Sequence, residues 1–251
     1  MSSLSVLVIT KNEEQNIDNC LSSVAWADEL VVVDSQSTDR TGELAKKYTD
    51  NVIVTEWLGY AATKNLALQH CQSEWILWID ADERVSPESR REIEQLLASD
   101  PSENGFEIPR KAYFLGRWIA HCGWYPGYVL RLFRRSKGKF NDKQVHEGVD
   151  LEGERGQLQE PLLHFTDPDL EHYMLKFNRY TSLAADELYH KGRRAGVFSI
   201  LFRPLHMFLK MYILRRGFLD GAQGFMLCLL SSGYVAMKYA KLWEKFERVN
   251  K

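Results

Sequence analysis

Trp75-Ile76-Leu77-Trp78-Ile79-Asp80-Ala81-Asp82-Glu83 is an apolar run of strand length that ends in a cluster of carboxylates. A run that is apolar on both faces reads as a buried, parallel strand. Carboxylates at the C-terminal end of such a strand fall in the crevice where open α/β sheets bind ligands. Two aspartates separated by one small residue can share a hard cation, and Mg²⁺ typically takes one or two carboxylates together with substrate phosphates. The position therefore points to a metal–nucleotide site. The competing reading is a helix cap, because Ser86-Pro87-Glu88 follows and opens a helix.

Outward from this strand, residues 1–100 alternate strand and helix patterns. Leu4–Ile9 reads as a strand, followed by a polar turn and a helix to about Val24. Glu29–Val33 is a second strand running into Asp34, after which Asp39 has the character of an N-cap for a helix to Tyr48. Asn51–Val54 is a short third strand and Tyr60–Cys71 a helix. Pro87–Ala98 is an amphipathic helix. This alternation predicts a mostly parallel sheet with right-handed crossovers. From about 104 to 166 the chain turns aromatic and glycine-rich, with short β patterns at Gly105–Pro109 and Tyr128–Phe133. Three helices are expected beyond Pro168, over Asp169–Lys191, Val197–Leu214 and Phe225–Glu247. The expected division is a nucleotide-binding, catalytic α/β domain over residues 1–166 and a helical extension over 167–251.

The totals narrow the function classes. The chain has 251 residues, 45% hydrophobic and 26% charged, which is ordinary globular composition. A net charge of −2 gives no general case for nucleic-acid binding. The four cysteines are scattered without paired spacing, which argues against a zinc site or disulfide scaffold and fits a reducing compartment. The expectation is a cytoplasmic protein without a signal peptide, since the chain runs directly into its first strand. No stretch reaches 18 uncharged apolar residues, the length of a spanning helix.

Four polar groups stand at strand ends or in the helices beside them. They are Thr10-Lys11-Asn12-Glu13, Asp34-Ser35-Gln36-Ser37-Thr38-Asp39, Lys64-Asn65 and Asp80-Ala81-Asp82. Individually each has a plain structural explanation: Thr10 and Asn12 as caps, Lys64 as a solvated helix charge. Their convergence at one sheet edge describes a ligand site. The chain carries no Gly-x-Gly-x-x-Gly fingerprint, which counts against a dinucleotide enzyme.

The runs VLVITKNEEQNIDNCLSSV, VVVDSQSTDRT, TKNLAL and WILWIDADE resemble the inverting glycosyltransferases of family 2, which have the GT-A fold. The resemblance is strong over residues 4–100. The later runs YVLRLFRR (128–135), VHEGV (145–149) and RRGFLDGAQGF (215–225) resemble a bacterial subgroup that builds the lipopolysaccharide core, in particular β-1,4-glucosyltransferases acting on an inner-core heptose. The fold implied is α/β, a Rossmann-like, mostly parallel sheet with flanking helices plus a C-terminal helical extension.

The resemblance implies roles. Thr10, Lys11, Asn12 and Glu13 would border the nucleoside of a UDP-sugar donor, and Asp34, with Ser35 beside it, would hold the base. A uracil imide is a good donor to a carboxylate. Lys64 would approach the diphosphate and Asp80 the ribose or the metal, while Asp82 would hold Mg²⁺ or Mn²⁺ on the diphosphate. An inverting transfer needs one general base, and Glu147 is favoured over Asp142 and Asp150. His146 is a candidate metal or diphosphate contact. Arg131 and Arg134 are read as pointing outward from their strand, either to bind donor or acceptor phosphates or as solvated charges.

Between Tyr189 and Leu219 the chain has seven Lys or Arg and no acidic residue. Together with the bulky apolar run Val197–Leu214, this has two readings: a buried helix packed on the core, or an interfacial helix on an anionic membrane. The second would place the protein on the cytoplasmic face of the inner membrane, beside a lipid-linked acceptor. Rival readings are a family 2 enzyme with a polyprenyl-linked, capsule or exopolysaccharide acceptor, a nucleotidyltransferase, and a non-catalytic sugar-nucleotide-binding or scaffold protein. The nucleotidyltransferase reading lacks its Gly-rich basic loop after the first strand.

Overall fold

The computed structural model describes residues 2–141 and 148–249. In chain order the first elements are β1 (Leu4–Thr10), α1 (Ile17–Val24), β2 (Glu29–Asp34), α2 (Thr41–Ala45), β3 (Val52–Val54), α3 (Tyr60–His70) and β4 (Trp75–Asp80). There follow β5 (Glu83–Arg84), α4 (Pro87–Ala98), β6 (Gly105–Ile108), β7 (Arg110–Phe114), β8 (Arg117–Trp118), β9 (Val129–Arg134), β10 (Gly138–Phe140), β11 (Val149–Leu151), β12 (Arg155–Gln157) and β13 (Leu162–Asp167). The C-terminal helices are α5 (Leu170–His190), α6 (Val197–Leu209) and α7 (Gly221–Val249). A π-helical turn over Lys210–Leu214 and a 3₁₀ turn over Gly217–Asp220 link the last two.

The chain forms two compact units, one of residues 1–110 and 127–164, the other of residues 111–126 and 165–251. The first is built on a seven-stranded sheet in the order β12-β6-β9-β4-β1-β2-β3. β3, β2, β1 and β4 run parallel, in register from Thr10 opposite Asp34 to Ile9 opposite Asp80. β9 then enters antiparallel to both β4 and β6, so the sheet is mixed. β1 is buried along its whole length and β4 from Trp75 to Ile79. Covering each large apolar side chain in this way contributes about 1.5–3 kcal/mol relative to leaving it exposed. The register brings the C-terminal ends of β1, β2 and β4, with Thr10, Asp34 and Asp80, to one edge.

The helix ends follow local chemistry. Ser86 caps α4 by accepting a hydrogen bond from Ser89 N, with Pro87 in the first turn. Asp169 caps α5 in the same way through His172 N. Asp39, in contrast, is not the terminal residue of its helix. Its carboxylate accepts the amides of Thr41 at 3.0 Å and Glu14 at 3.2 Å, Arg40 takes the cap position, and the helix closes at Ala45 instead of Tyr48. Asp39 thus joins two loops as well as starting a helix.

The second unit takes in the loop segment Lys111–Pro126 with the three C-terminal helices. Its core gathers Phe114, Ile119, Cys122, Met211, Leu227 and Cys228. α6 buries Pro204 and turns Met207 and Phe208 toward this core, while Phe198, Leu201, Phe202 and Leu205 remain exposed. Among the described residues one helical stretch, 197–214, is long and apolar enough to cross a membrane, with mean hydropathy 1.4 and only 6% of it buried.

Candidate functional site

Two loops close over the ends of β1 and β2 and are tied together by hydrogen bonds. Asn12, in the left-handed region at φ 55°, donates its backbone N–H to Ser37 Oγ and accepts Thr38 N on its side-chain oxygen, both at 2.8 Å. Glu13 N donates to Thr41 Oγ1 at 2.8 Å, and the Glu13 carboxylate accepts from Asn16 Nδ2. Asp34 is buried, and its Oδ1 accepts from both the amide and the hydroxyl of Ser37. Thr10 and Ser35 are buried beside it, and their hydroxyls have no partner among the described residues. Lys11 is exposed at the loop tip. The sequence groups around Thr10 and Asp34 therefore form one double loop. Within it Asn12 shapes the backbone, while Asp34 Oδ2 lies toward Gly42, where a Cβ would sit 3.1 Å away. A side chain there would crowd the carboxylate.

The second group is centred on the end of β4. Lys64 is carried inward because α3 presents Ala61, Lys64 and Ala67 on one buried face. Its Nζ lies 3.7 Å from Asp80 Oδ1 and 4.0 Å from the centre of the Trp78 ring. Asn65 is not part of this cluster. Its amide bonds the backbone N–H and C=O of Phe140 and fastens α3 to β10.

Arg131 departs from the outward reading. It is 1% exposed, because β9 is buried on both faces between β4 and β6. Its guanidinium stacks 3.7 Å from the centre of Trp78, and Nη2 donates to Asp80 Oδ2 at 2.9 Å and to Glu83 Oε1 at 2.6 Å. Glu83 is fully buried and also accepts the Asp80 amide through Oε2. Nε and Nη1 of Arg131 and Nε of Arg110 are buried without partners among the described residues. Arg134 does reach the surface, where it pairs with Glu74 and Asp100.

This charge arrangement separates the two carboxylates. Burial alone would raise Asp80, but the charges of Arg131 and Lys64 outweigh it and hold Asp80 well below the usual carboxylate range. Burial raises Glu83, and the neighbouring Asp80 charge adds to that against the pull of Arg131. Asp80 is thus the ionised group facing the edge, and Glu83 the internal brace behind it. Burial and the Arg131 charge push Arg110 down.

Asp82 meets a residue that the sequence did not single out. His164, in β13 and paired in register with Glu83, places Nε2 3.4 Å from Asp82 Oδ2. Burial works against its protonation, but the Asp82 hydrogen bond and the charges of Asp82 and Glu83 outweigh burial and raise it. No group of three or more His, Cys, Asp or Glu able to hold a metal exists among the described residues. Asp82 and His164 nevertheless fit a pair of protein ligands. Adjacent ligands of an octahedral ion with bonds of about 2.1 Å lie about 3 Å apart, and substrate phosphates commonly complete such a shell. Asp80 is less suited, since both its oxygens already face cations. Glu147, His146 and Asp142 lie outside the described residues. Asp150, the remaining candidate base, stands on the β10–β11 hairpin and accepts from Asn141 Nδ2 at 2.9 Å.

A parallel sheet edge with a closed double loop and a carboxylate–cation cluster is the kind of place where open α/β sheets bind ligands. Residues 5–121 match the model of glycosyl transferase family 2. The chain is 33% identical to the lipopolysaccharide core biosynthesis glycosyltransferase LpsC of Rhizobium meliloti, over 96% of this chain and 92% of that one. It is 31% identical to an uncharacterized glycosyltransferase of Rickettsia felis, over 97% and 90% of the two chains. The chain belongs to glycosyl transferase family 2, is a glycosyltransferase, and has the GT-A type of α/β fold. Among solved structures it is similar to S. aureus TarS 1-349 in complex with UDP-GlcNAc, at 16% identity and TM-score 0.47, over 98% of this chain and 92% of that one.

Proposed function

We propose that this glycosyltransferase moves a hexose, glucose being the first choice, from a UDP-sugar to a hydroxyl of an inner-core heptose of lipopolysaccharide. The observation that carries the reading is the cluster at the end of β4, where Lys64, Arg131 and the Asp82–His164 pair surround Asp80. Asp34 would hold the base, with Thr10, Lys11, Asn12, Glu13 and Ser35 forming the loop pair around the nucleoside. Lys64 would face the diphosphate, and Arg131 would hold Asp80 in place. Asp82 and His164 would hold a divalent ion, which neutralises charge on the departing diphosphate. The imidazole donor favours Mn²⁺ over Mg²⁺, because Mg²⁺ prefers an all-oxygen shell. Glu147 remains the proposed base, taking the proton of the acceptor hydroxyl. The relationship to LpsC supports the acceptor class.

The test is release of UDP from a panel of UDP-sugars with Mn²⁺ or Mg²⁺, with and without heptose-containing core lipopolysaccharide. Acceptor-stimulated release from UDP-glucose, abolished by EDTA, is the expected result. Release that the acceptor does not stimulate would discard the core assignment, in favour of a polyprenyl-linked or exopolysaccharide acceptor.

The reading includes a place for the enzyme on the cytoplasmic face of the inner membrane. Phe198 is 78% and Leu214 75% exposed, with Leu201, Phe202 and Leu205 between them. Arg193, Arg194, Arg203, Lys210, Arg215 and Arg216 are exposed along the same stretch. An apolar face bordered by cations suits an in-plane helix on anionic lipid, where each basic residue near the surface contributes about 1 kcal/mol. Cosedimentation with anionic vesicles at low salt is expected, and Phe198→Ser with Phe202→Ser is expected to abolish it. Absence of the wild-type protein from the vesicle pellet would rule the surface out.

A further inference from the structure

The second unit contains a polar constellation that the donor site does not use. Asp220, at the end of the 3₁₀ turn, is buried and reaches across to residues 120–122. Its Oδ1 accepts from Ala120 N at 3.3 Å, and its Oδ2 accepts from His121 N at 2.9 Å. His121 Nδ1 lies 2.9 Å from Oδ1. A carboxylate that already accepts two amides makes Nδ1 the donor, so the imidazole is fixed with Nε2 pointing away from the carboxylate. The His121 side chain is 34% exposed, and Nε2 has no hydrogen-bond partner among the described residues.

The segment around it is sorted by direction. Ile119 and Cys122 are buried, whereas Trp118 and Tyr125 are exposed and hold each other edge to face at 5.6 Å. Trp124 differs from these two, since it packs against Phe114 in the core. Two guanidinium groups border the dyad. A Cβ on Gly221, next to Asp220, would lie 3.4 Å from Arg117 Nη1, and one on Gly123 would lie 3.4 Å from Arg215 Nη1. Neither arginine has a carboxylate in salt-bridge range among the described residues.

A clamp that only anchored the loop needs Asp220 and the two amides. It does not need a histidine turned to solvent with one nitrogen open, two exposed aromatic rings and two unpaired guanidiniums. We propose that Trp118, His121 and Tyr125 form a carbohydrate-binding subsite, with Arg117 and Arg215 receiving a phosphate carried by that glycan. Aromatic rings cover the apolar face of a sugar, a few placed polar groups fix its hydroxyls, and guanidinium is the matched donor for phosphate. Asp220 is a positioning residue, acting through the tautomer and orientation of His121. The choice of glycan rests on the proposed acceptor, a heptose-containing core oligosaccharide, and the phosphate is inferred from the two guanidiniums.

The test measures binding of deacylated core oligosaccharide to the full chain by saturation-transfer NMR and titration, without donor. The same oligosaccharide after dephosphorylation is compared. Trp118→Ala and His121→Phe are each expected to weaken binding about tenfold, the scale of one lost contact, while the affinity for UDP stays the same. Arg117→Ala with Arg215→Ala is expected to remove the preference for the phosphorylated form. Unchanged binding in the Trp118 and His121 variants overturns the subsite, as does a wild-type protein that shows no saturation transfer. If the oligosaccharide binds here but does not stimulate UDP release from any UDP-sugar, the subsite stands and the acceptor assignment falls.

Discussion

Asp82→Asn is expected to lower turnover about 10²–10³-fold, the range seen when one preorganised electrostatic group is removed from a reacting centre. The substitution keeps the shape of the side chain and removes its charge. If Asp82 and His164 hold one ion together, His164→Ala should reduce turnover in the same assay, and the double variant should fall little further than the worse single one. Residues that act as a unit are not additive. The Mn²⁺ concentration giving half-maximal UDP release should rise in each single variant, which separates ligation from a structural ion pair. A pair that merely braced β13 against the end of β4 would lower the unfolding midpoint and leave the Mn²⁺ dependence unchanged. The measurement is UDP release across a Mn²⁺ titration, alongside the unfolding midpoint of each protein.

Much of this site was readable along the chain because its chemistry is local. A five-residue apolar run that ends in carboxylates has the length of a strand buried in a sheet interior, so β4 and the carboxylates at its end followed from the local pattern. Asp34 followed in the same way from β2. What failed to read was chemistry that depends on distant partners. Arg131 looks like a surface charge until Asp80 and Glu83, about fifty residues earlier, are brought against it, and until β9 is seen to sit between β4 and β6. His164 is a lone histidine in a strand, and only the pairing of β13 with β5 sets it beside Asp82. The separation of Trp118 and Tyr125 from Trp124 has the same cause. All three are aromatic residues in one loop, and the core contact of Trp124 with Phe114 decides which rings remain outside. The same holds for the segment Lys111–Pro126, whose place in the second unit has no local signature.

Arg131→Met is expected to destabilise the first unit by about 3–5 kcal/mol, the cost of breaking a buried pair from one side. Methionine fills much of the volume over Trp78, so the loss of packing is small and the loss is chiefly electrostatic. Glu83 is fully buried and would keep, among the described residues, the Asp80 amide as its hydrogen-bond partner. Asp80 would retain Lys64 at 3.7 Å, and its side chain is 36% exposed, so it is less affected. Adding Glu83→Gln removes the carboxylate whose charged form burial already disfavours, while leaving an oxygen for the Asp80 amide. Arg131→Met with Glu83→Gln should therefore be more stable than Arg131→Met alone, although it lacks one more native ion-pair partner. Urea unfolding followed by tryptophan fluorescence, with Trp75 and Trp78 reporting on the first unit, measures both differences. Equal midpoints for the single and double variants would show that Arg131 stabilises by packing on Trp78 and that neutralising Glu83 is not its task. A recovery in the double variant would assign Arg131 its role as the fixed charge that lets two carboxylates, one ionised at the edge and one braced behind it, share the end of β4.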